Sequence, residues 1–330
     1  MRSLALSALA FALLAGCASV PEPRSYENPV LARDFPDPAV LRAPDGTFYA
    51  YATQATVDGR AVNVQVARSA DLVRWEYLGD ALPAKPSWAA TTQKFWAPHV
   101  LRADGRYFLY YSAQPDGAKG LCLAVATAGR PEGPFVDSGR PMLCGEGIEH
   151  IDPMAFDDPK TGARLLYWGS GKEPIRVQEL AADRLGFAPG SAPRELLGAD
   201  GRPYSSLIEA TWVVYREGRY YLFYSGDRCC SRNPRYAVLV ARSHHATGPF
   251  EELAGPILAA GNGWMAPGHA AIATDDAGRD WLLYHAARSG QDWFPRLLLL
   301  DLLEWKDGWP SIEEGRPSRS SRAGPSVRVR

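Results

Sequence analysis

Glu217-Gly218-Arg219-Tyr220-Tyr221-Leu222-Phe223-Tyr224 decides the fold, because the chain carries four further versions of it. The others begin Asp45-Gly46-Thr47-Phe48-Tyr49, Asp104-Gly105-Arg106-Tyr107-Phe108, Thr161-Gly162-Ala163-Arg164-Leu165 and Ala277-Gly278-Arg279-Asp280-Trp281. Their glycines are separated by 59, 57, 56 and 60 residues along the chain. Each glycine reads as a turn, and the aromatic run after it as a strand apolar on both faces, the pattern of a strand packed between neighbouring sheets. A third strand follows in each copy, such as Val64–Arg68, Cys122–Ala126, Arg176–Leu180 and Val238–Arg242. Glu132-Gly133-Pro134-Phe135 and Thr247-Gly248-Pro249-Phe250 then turn into an outer strand. A strand-turn-strand unit repeated at this period predicts an all-β, five-bladed β-propeller over residues 29–310. A sandwich would lack the long period, and a parallel β-helix would repeat over a much shorter one.

Nine residues back from each glycine (ten in the third copy) stand Asp37, Trp96, Asp152, Glu209 and His269. Matching positions on five blades form a ring, so these side chains are predicted to converge, and three of them are carboxylates. Taken singly, Asp37-Pro38 and Asp152-Pro153 read equally as turn or strand-start residues. Glu209 is different, because it sits among Leu207, Ile208, Ala210, Trp212 and Val213, where an unpaired carboxylate is costly.

The ends of the chain read otherwise. Arg2, the apolar run Leu4–Leu14 and Leu14-Ala15-Gly16-Cys17 resemble a bacterial lipoprotein signal at 1–16. The expectation is cleavage before Cys17, a lipid on its thiol and attachment to the cell envelope, with Ala18 favouring the outer membrane. The membrane would then be met only through that lipid. Residues 17–28 read as a Pro- and Glu-rich tether, and the basic stretch 311–330 as a disordered tail. No later apolar stretch is long enough to span a bilayer. A formal net charge of −1 gives no reason to expect nucleic acid as a partner.

Export permits disulfides. After Cys17 there remain Cys122, Cys144, Cys229 and Cys230, which allow three pairings. Cys122 and Cys144 belong to one copy and are open to bridging. Cys229 and Cys230 are adjacent, and either form a vicinal bond or stay free or otherwise paired.

Five motifs occur in order: Asp34-Phe35-Pro36-Asp37-Pro38-Ala39, Trp96-Ala97-Pro98-His99-Val100, Ile151-Asp152-Pro153-Met154-Ala155-Phe156, Leu207-Ile208-Glu209-Ala210 and Pro267-Gly268-His269. Together they resemble glycoside hydrolase family 43, five-bladed propellers that cleave arabinose and xylose linkages. The likeness runs on through Arg296 to Trp305-Lys306-Asp307-Gly308-Trp309-Pro310. It implies an inverting glycosidase in which Asp37 is the general base, Glu209 the general acid, and Asp152 the group that raises the acid's pKa and orients it. Inversion needs a base and an acid roughly 6.5–9.5 Å apart, with water between, and the acid stays protonated through burial and a nearby like charge.

The resemblance also implies substrate contacts. Trp96, and less so Phe35, would stack on a pentose; Arg296 would reach the terminal sugar's hydroxyls, a structural salt bridge being its rival. Trp264 and Trp293 are expected in loops on the axial side. His269 is the histidine that stands beside a channel calcium or sodium ion bound mostly through water, or else one that only hydrogen-bonds in the channel. No cofactor is expected for the chemistry, and no zinc-type spacing occurs. Cys229-Cys230 ahead of Tyr236-Ala237-Val238, with Trp96-Ala97-Pro98, look like the arabinan-active branches. The expected partner is a plant cell-wall oligosaccharide or polysaccharide, met by a monomer. One departure is Thr211 after Ala210, where many members carry Pro or Gly nearby. A β-xylosidase, and from another class a non-catalytic sugar-binding propeller, are the rival readings.

Overall fold

In the computed structural model the described residues are 25–328, and they form five antiparallel sheets set around an axis, four of them four-stranded and one five-stranded. Blade 1 comprises Ala39–Arg42, Phe48–Ala52, Gln65–Ser69 and Glu76–Asp80. Blade 2 comprises Phe95–Ala103, Arg106–Ala113, Cys122–Ala128 and Val136–Asp137, with Leu143–Cys144 also on its third strand. Blade 3 comprises Met154–Asp157, Arg164–Trp168, Ile175–Glu179 and Arg194–Leu197. Blade 4 comprises Ile208–Arg216, Arg219–Gly226, Ala237–Ser243 and Glu251–Glu252. Blade 5 comprises Trp264–Thr274, Asp280–Arg288, Leu297–Lys306 and Trp309–Ser311. Among the described residues the helical elements are two short 3₁₀ turns, Ser87–Ala89 and Glu313–Gly315.

Each repeat glycine lies in the tight turn between the first and second strands. Gly46, Gly105, Gly162, Gly218 and Gly278 all have positive φ, which a residue without Cβ adopts at no steric cost. The second strands are buried on both faces because a blade lies on each side of them. All five residues of Phe48–Ala52 are buried, and Tyr110, Trp168, Leu222 and Leu283 sit at 0% exposure. Their aromatic content fills the wedge between splayed blades. The first strands line the axis, each touching both neighbours, so the first closes on the fifth.

The segment before blade 1 runs along blade 5. Leu31 bridges Leu298, and Asn28 holds Leu300 at both its N–H and C=O. The tether therefore gives way to ordered chain sooner than expected, since Ser25–Tyr26 already pair with Arg322–Ala323.

The expectation of a disordered tail over 311–330 is likewise corrected for its described part, up to residue 328. Ser318 donates its N–H to Asp301, Ser326 does the same for Asp275, and Ile312 and Val327 are buried. Poor apolar content misled the reading: this segment is held by polar groups that satisfy buried blade 5 carboxylates.

Two disulfides form, Cys122–Cys144 across adjacent strands of blade 2 and the vicinal pair Cys229–Cys230. The expected envelope anchoring is corrected by them. They leave no cysteine among the described residues free to carry a lipid, and Cys17, with the signal at 1–16, lies outside those residues.

Candidate active site

Each blade brings one residue with left-handed backbone to the axis: Asp37 (φ 56°), Ala97 (45°), Asp152 (59°), Ala210 (62°) and His269 (50°). Non-glycine residues rarely hold this conformation, and here a side chain from the preceding blade fixes it. His285 Nδ1 accepts the N–H of Asp37 at 3.0 Å, and Thr53 Oγ1 that of Ala97 at 2.8 Å. Ser112 Oγ takes that of Asp152 at 3.1 Å, and Ser225 Oγ that of His269 at 2.9 Å. Blade 4 departs from the pattern: Asp152 Oδ2 accepts the Ala210 N–H at 3.0 Å, and Ser170 instead donates to Glu209 Oε2 at 2.6 Å. In blades 2 and 4 the predicted ring residues, Trp96 and Glu209, thus stand one place before the left-handed position, ahead of a bulge in the strand pairing.

The ring opens into a cavity of ≈ 470 Å³ whose lining includes Asp37, Asp152, Glu209, His269, Arg296 and Trp96. All three predicted carboxylates are therefore together, with the predicted arginine, histidine and tryptophan around them. Trp293 and the Cys229–Cys230 pair line the same cavity. Phe35 does not reach it. That ring is fully buried in the core, which corrects its expected contact with a sugar. Trp264, expected in an axial-side loop, is a buried residue of the first strand of blade 5 beneath Arg288.

Three environments divide the carboxylates. Burial alone would push Asp37 up, but the Arg296 guanidinium, at 2.8 Å from Oδ1, and the neighbouring His285 and His269 outweigh it and hold the carboxyl well below its ordinary range. Thr53 Oγ1 also donates to Asp37 Oδ2 at 2.6 Å. Asp152 is pushed well up by burial and then by the charges of Glu209 and Asp37. Glu209 is pushed up by burial, against hydrogen bonds from Ser170 and Tyr236 that favour its charged form. Asp152 and Glu209 are thus shifted up and Asp37 down, the separation that acid–base work requires.

His269 Nδ1 lies 3.5 Å from Asp37 Oδ1 and 4.0 Å from Asp152 Oδ2. Burial lowers its pKa to about 4, so it is neutral at physiological pH. Among the described residues no group of three or more His, Cys, Asp or Glu is arranged to hold a metal ion. His269 alone would leave a channel ion to water. Arg296 adopts the salt bridge that rivalled its sugar-binding role, although its side chain still lines the cavity.

Sequence reasoning missed Thr53, Ser112, Ser170, Ser225, His285 and Tyr236. The signal for five of them was present: Thr53, Ser112, Ser225 and His285 each stand seven residues after a repeat glycine, and Ser170 eight. Tyr236 has no such register.

Residues 26–310 match glycosyl hydrolases family 43. The chain belongs to that family. It is 26% identical over 314 residues to an extracellular exo-α-(1→5)-L-arabinofuranosidase of Cellvibrio japonicus (strain Ueda107), covering 85% of this chain and 87% of that one. It is 28% identical over 295 residues to extracellular endo-α-(1→5)-L-arabinanase 1 of Bacillus subtilis (strain 168), covering 83% and 86%. Among solved structures, that of a thermostable family-43 glycoside hydrolase superposes with a TM-score of 0.77 at 26% identity, covering 92% of this chain and 100% of that one. The family member described here thus has the expected five-bladed fold.

Proposed function

We propose that this chain is an inverting glycosidase that cleaves α-L-arabinofuranosidic linkages of arabinan or arabinose-substituted hemicellulose. Asp37 removes a proton from a water molecule as the water oxygen attacks the anomeric carbon from the face opposite the leaving group. Glu209 gives its proton to the glycosidic oxygen as the carbon–oxygen bond breaks. The products are a free sugar of inverted configuration and an alcohol, with Asp37 protonated and Glu209 ionised until the two exchange protons with solvent. Asp152 keeps Glu209 protonated by its charge and fixes the backbone beside it.

The observation that carries the reading is the division of three converging carboxyls into one held low by Arg296 and two raised by burial. Two relatives whose names specify α-(1→5)-linked L-arabinose support the choice of sugar. The test is turnover by purified protein of an aryl α-L-arabinofuranoside, an aryl β-D-xyloside and linear arabinan. Hydrolysis of the arabinofuranoside or arabinan well above the xyloside is expected. Preference for the xyloside would replace this reading with a β-xylosidase, and saturable binding with no turnover would replace it with a sugar-binding propeller.

A further inference from the structure

Tyr236 and His285 form a buried stack linking Asp37 to Glu209. Their rings are 5.8 Å apart, centre to centre, and within 5° of parallel. Tyr236 is 1% exposed and His285 0%. The Tyr236 hydroxyl donates to Glu209 Oε1 at 2.8 Å, while His285 Nδ1 accepts the Asp37 N–H at 3.0 Å. Gly268, the cross-strand partner of His285, leaves room for the ring, since a Cβ there would overlap Tyr236. Its φ is not in the left-handed region, so what this position needs from glycine is close approach. Blade 4 contributes Tyr236, and blade 5 contributes Gly268 and His285, so the tyrosine's direction is set by the blade that also fixes Asp37.

We propose that Tyr236, packed against Gly268 and His285, is the positioning residue that aims Glu209 at the leaving-group oxygen, and that His285 ties this aim to the placement of Asp37. The inference rests on the reading of Glu209 as proton donor. Glu209 has two carboxyl oxygens and one donor on each, Ser170 on Oε2 and Tyr236 on Oε1, so its plane is fixed. Ser170 alone would leave the carboxyl free to rotate about that one bond. The other groups around Glu209 that bear on its charge are Asp37, Asp152 and Arg296, none of which donates to it. Tyr236 is therefore the donor that completes its orientation, and it does so from behind Glu209 without itself lining the cavity.

Tyr236→Phe keeps the ring in its slot and removes only the donor. Rates are compared on two glycosides of the sugar the protein turns over, one with a second sugar as leaving group and one with 2,4-dinitrophenol, which departs without protonation. On the sugar leaving group kcat is expected to fall about ten- to a hundredfold, the scale of one hydrogen bond to a charged group. On the dinitrophenyl glycoside it should hardly change. Taking the ratio on one preparation cancels any misfolded fraction, and Gly268→Ala, whose Cβ displaces the ring, should reproduce the pattern. His285→Phe keeps a stack but loses the acceptor for Asp37, so it should slow both substrates alike.

Equal losses on both substrates for Tyr236→Phe, or none on either, overturn the positioning role. Glu209→Gln separates this from the underlying reading. If Glu209→Gln shows the leaving-group dependence and Tyr236→Phe does not, Glu209 remains the proton donor and the inference falls. If Glu209→Gln slows both substrates equally, the reading of Glu209 itself fails.

Discussion

Asp152 accepts the backbone N–H of Ala210 at 3.0 Å, and Ala210 is the residue that follows Glu209. At the other four ring positions a hydroxyl or imidazole from the preceding blade takes the equivalent bond. The exchange in blade 4 frees Ser170 to donate to Glu209. Asp152 thereby fixes the backbone next to Glu209, and the role proposed for it adds the effect of its charge.

Asp152→Asn keeps an oxygen for the Ala210 N–H and removes the charge. A negative neighbour raises a carboxyl's pKa, so its loss lowers that of Glu209. Activity requires Glu209 protonated, and the alkaline limb of the kcat/KM profile should therefore move to lower pH. A limb that stays in place would contradict the assigned role.

Arg296 bears on the opposite limb. Burial raises Asp37, and Arg296 is the largest of the influences that reverse this and leave it low. Wild-type activity on the acid side should persist to below the ordinary aspartate pKa of about 3.9. In Arg296→Gln the cation is gone, the Asp37 pKa rises, and the acid limb should shift to higher pH. An unshifted acid limb would remove Asp37 as the group it reports.

Thr53 donates to Asp37 Oδ2 at 2.6 Å and accepts the Ala97 N–H at 2.8 Å. Thr53→Val removes both bonds at nearly constant volume. Turnover should fall about tenfold or more with KM little changed, and the stranded buried N–H should cost about 1–3 kcal/mol of stability. Steady-state kinetics and denaturant unfolding on one sample measure the two effects.

Removing residues 312–330 strips partners from Asp301 and Asp275, which are 4% exposed, because Ser318 and Ser326 go with the segment. Each carboxylate left short of a donor should cost about 1–3 kcal/mol. The truncated protein should melt lower yet keep its turnover per folded molecule while blade 5 holds together. An unchanged melting temperature would show that the segment adds nothing to stability.

The fold was legible because a turn glycine ahead of an aromatic strand recurs five times, and only a repeating unit does that. The ring was legible to within one residue. Counting back from the glycines reached Asp37, Asp152 and His269 but fell one short of Ala97 and Ala210, because turn length and bulges differ between blades and a single inserted residue swaps the faces of a strand. Phe35 was misjudged because adjacency to Asp37 in sequence says nothing of which way the ring turns. The stack of Tyr236 on His285 lay beyond reach, since a contact between blades leaves no periodic trace. The tail was hidden by composition, its order coming from buried carboxylates elsewhere in the chain.

The most direct measurement is the anomeric configuration of the sugar first released, read by proton NMR before mutarotation. Direct attack by water, assisted by Asp37 while Glu209 protonates the leaving group, is expected to give inverted product. Retained configuration would require a covalent sugar–enzyme intermediate and would contradict the proposed division of labour among Asp37, Asp152 and Glu209.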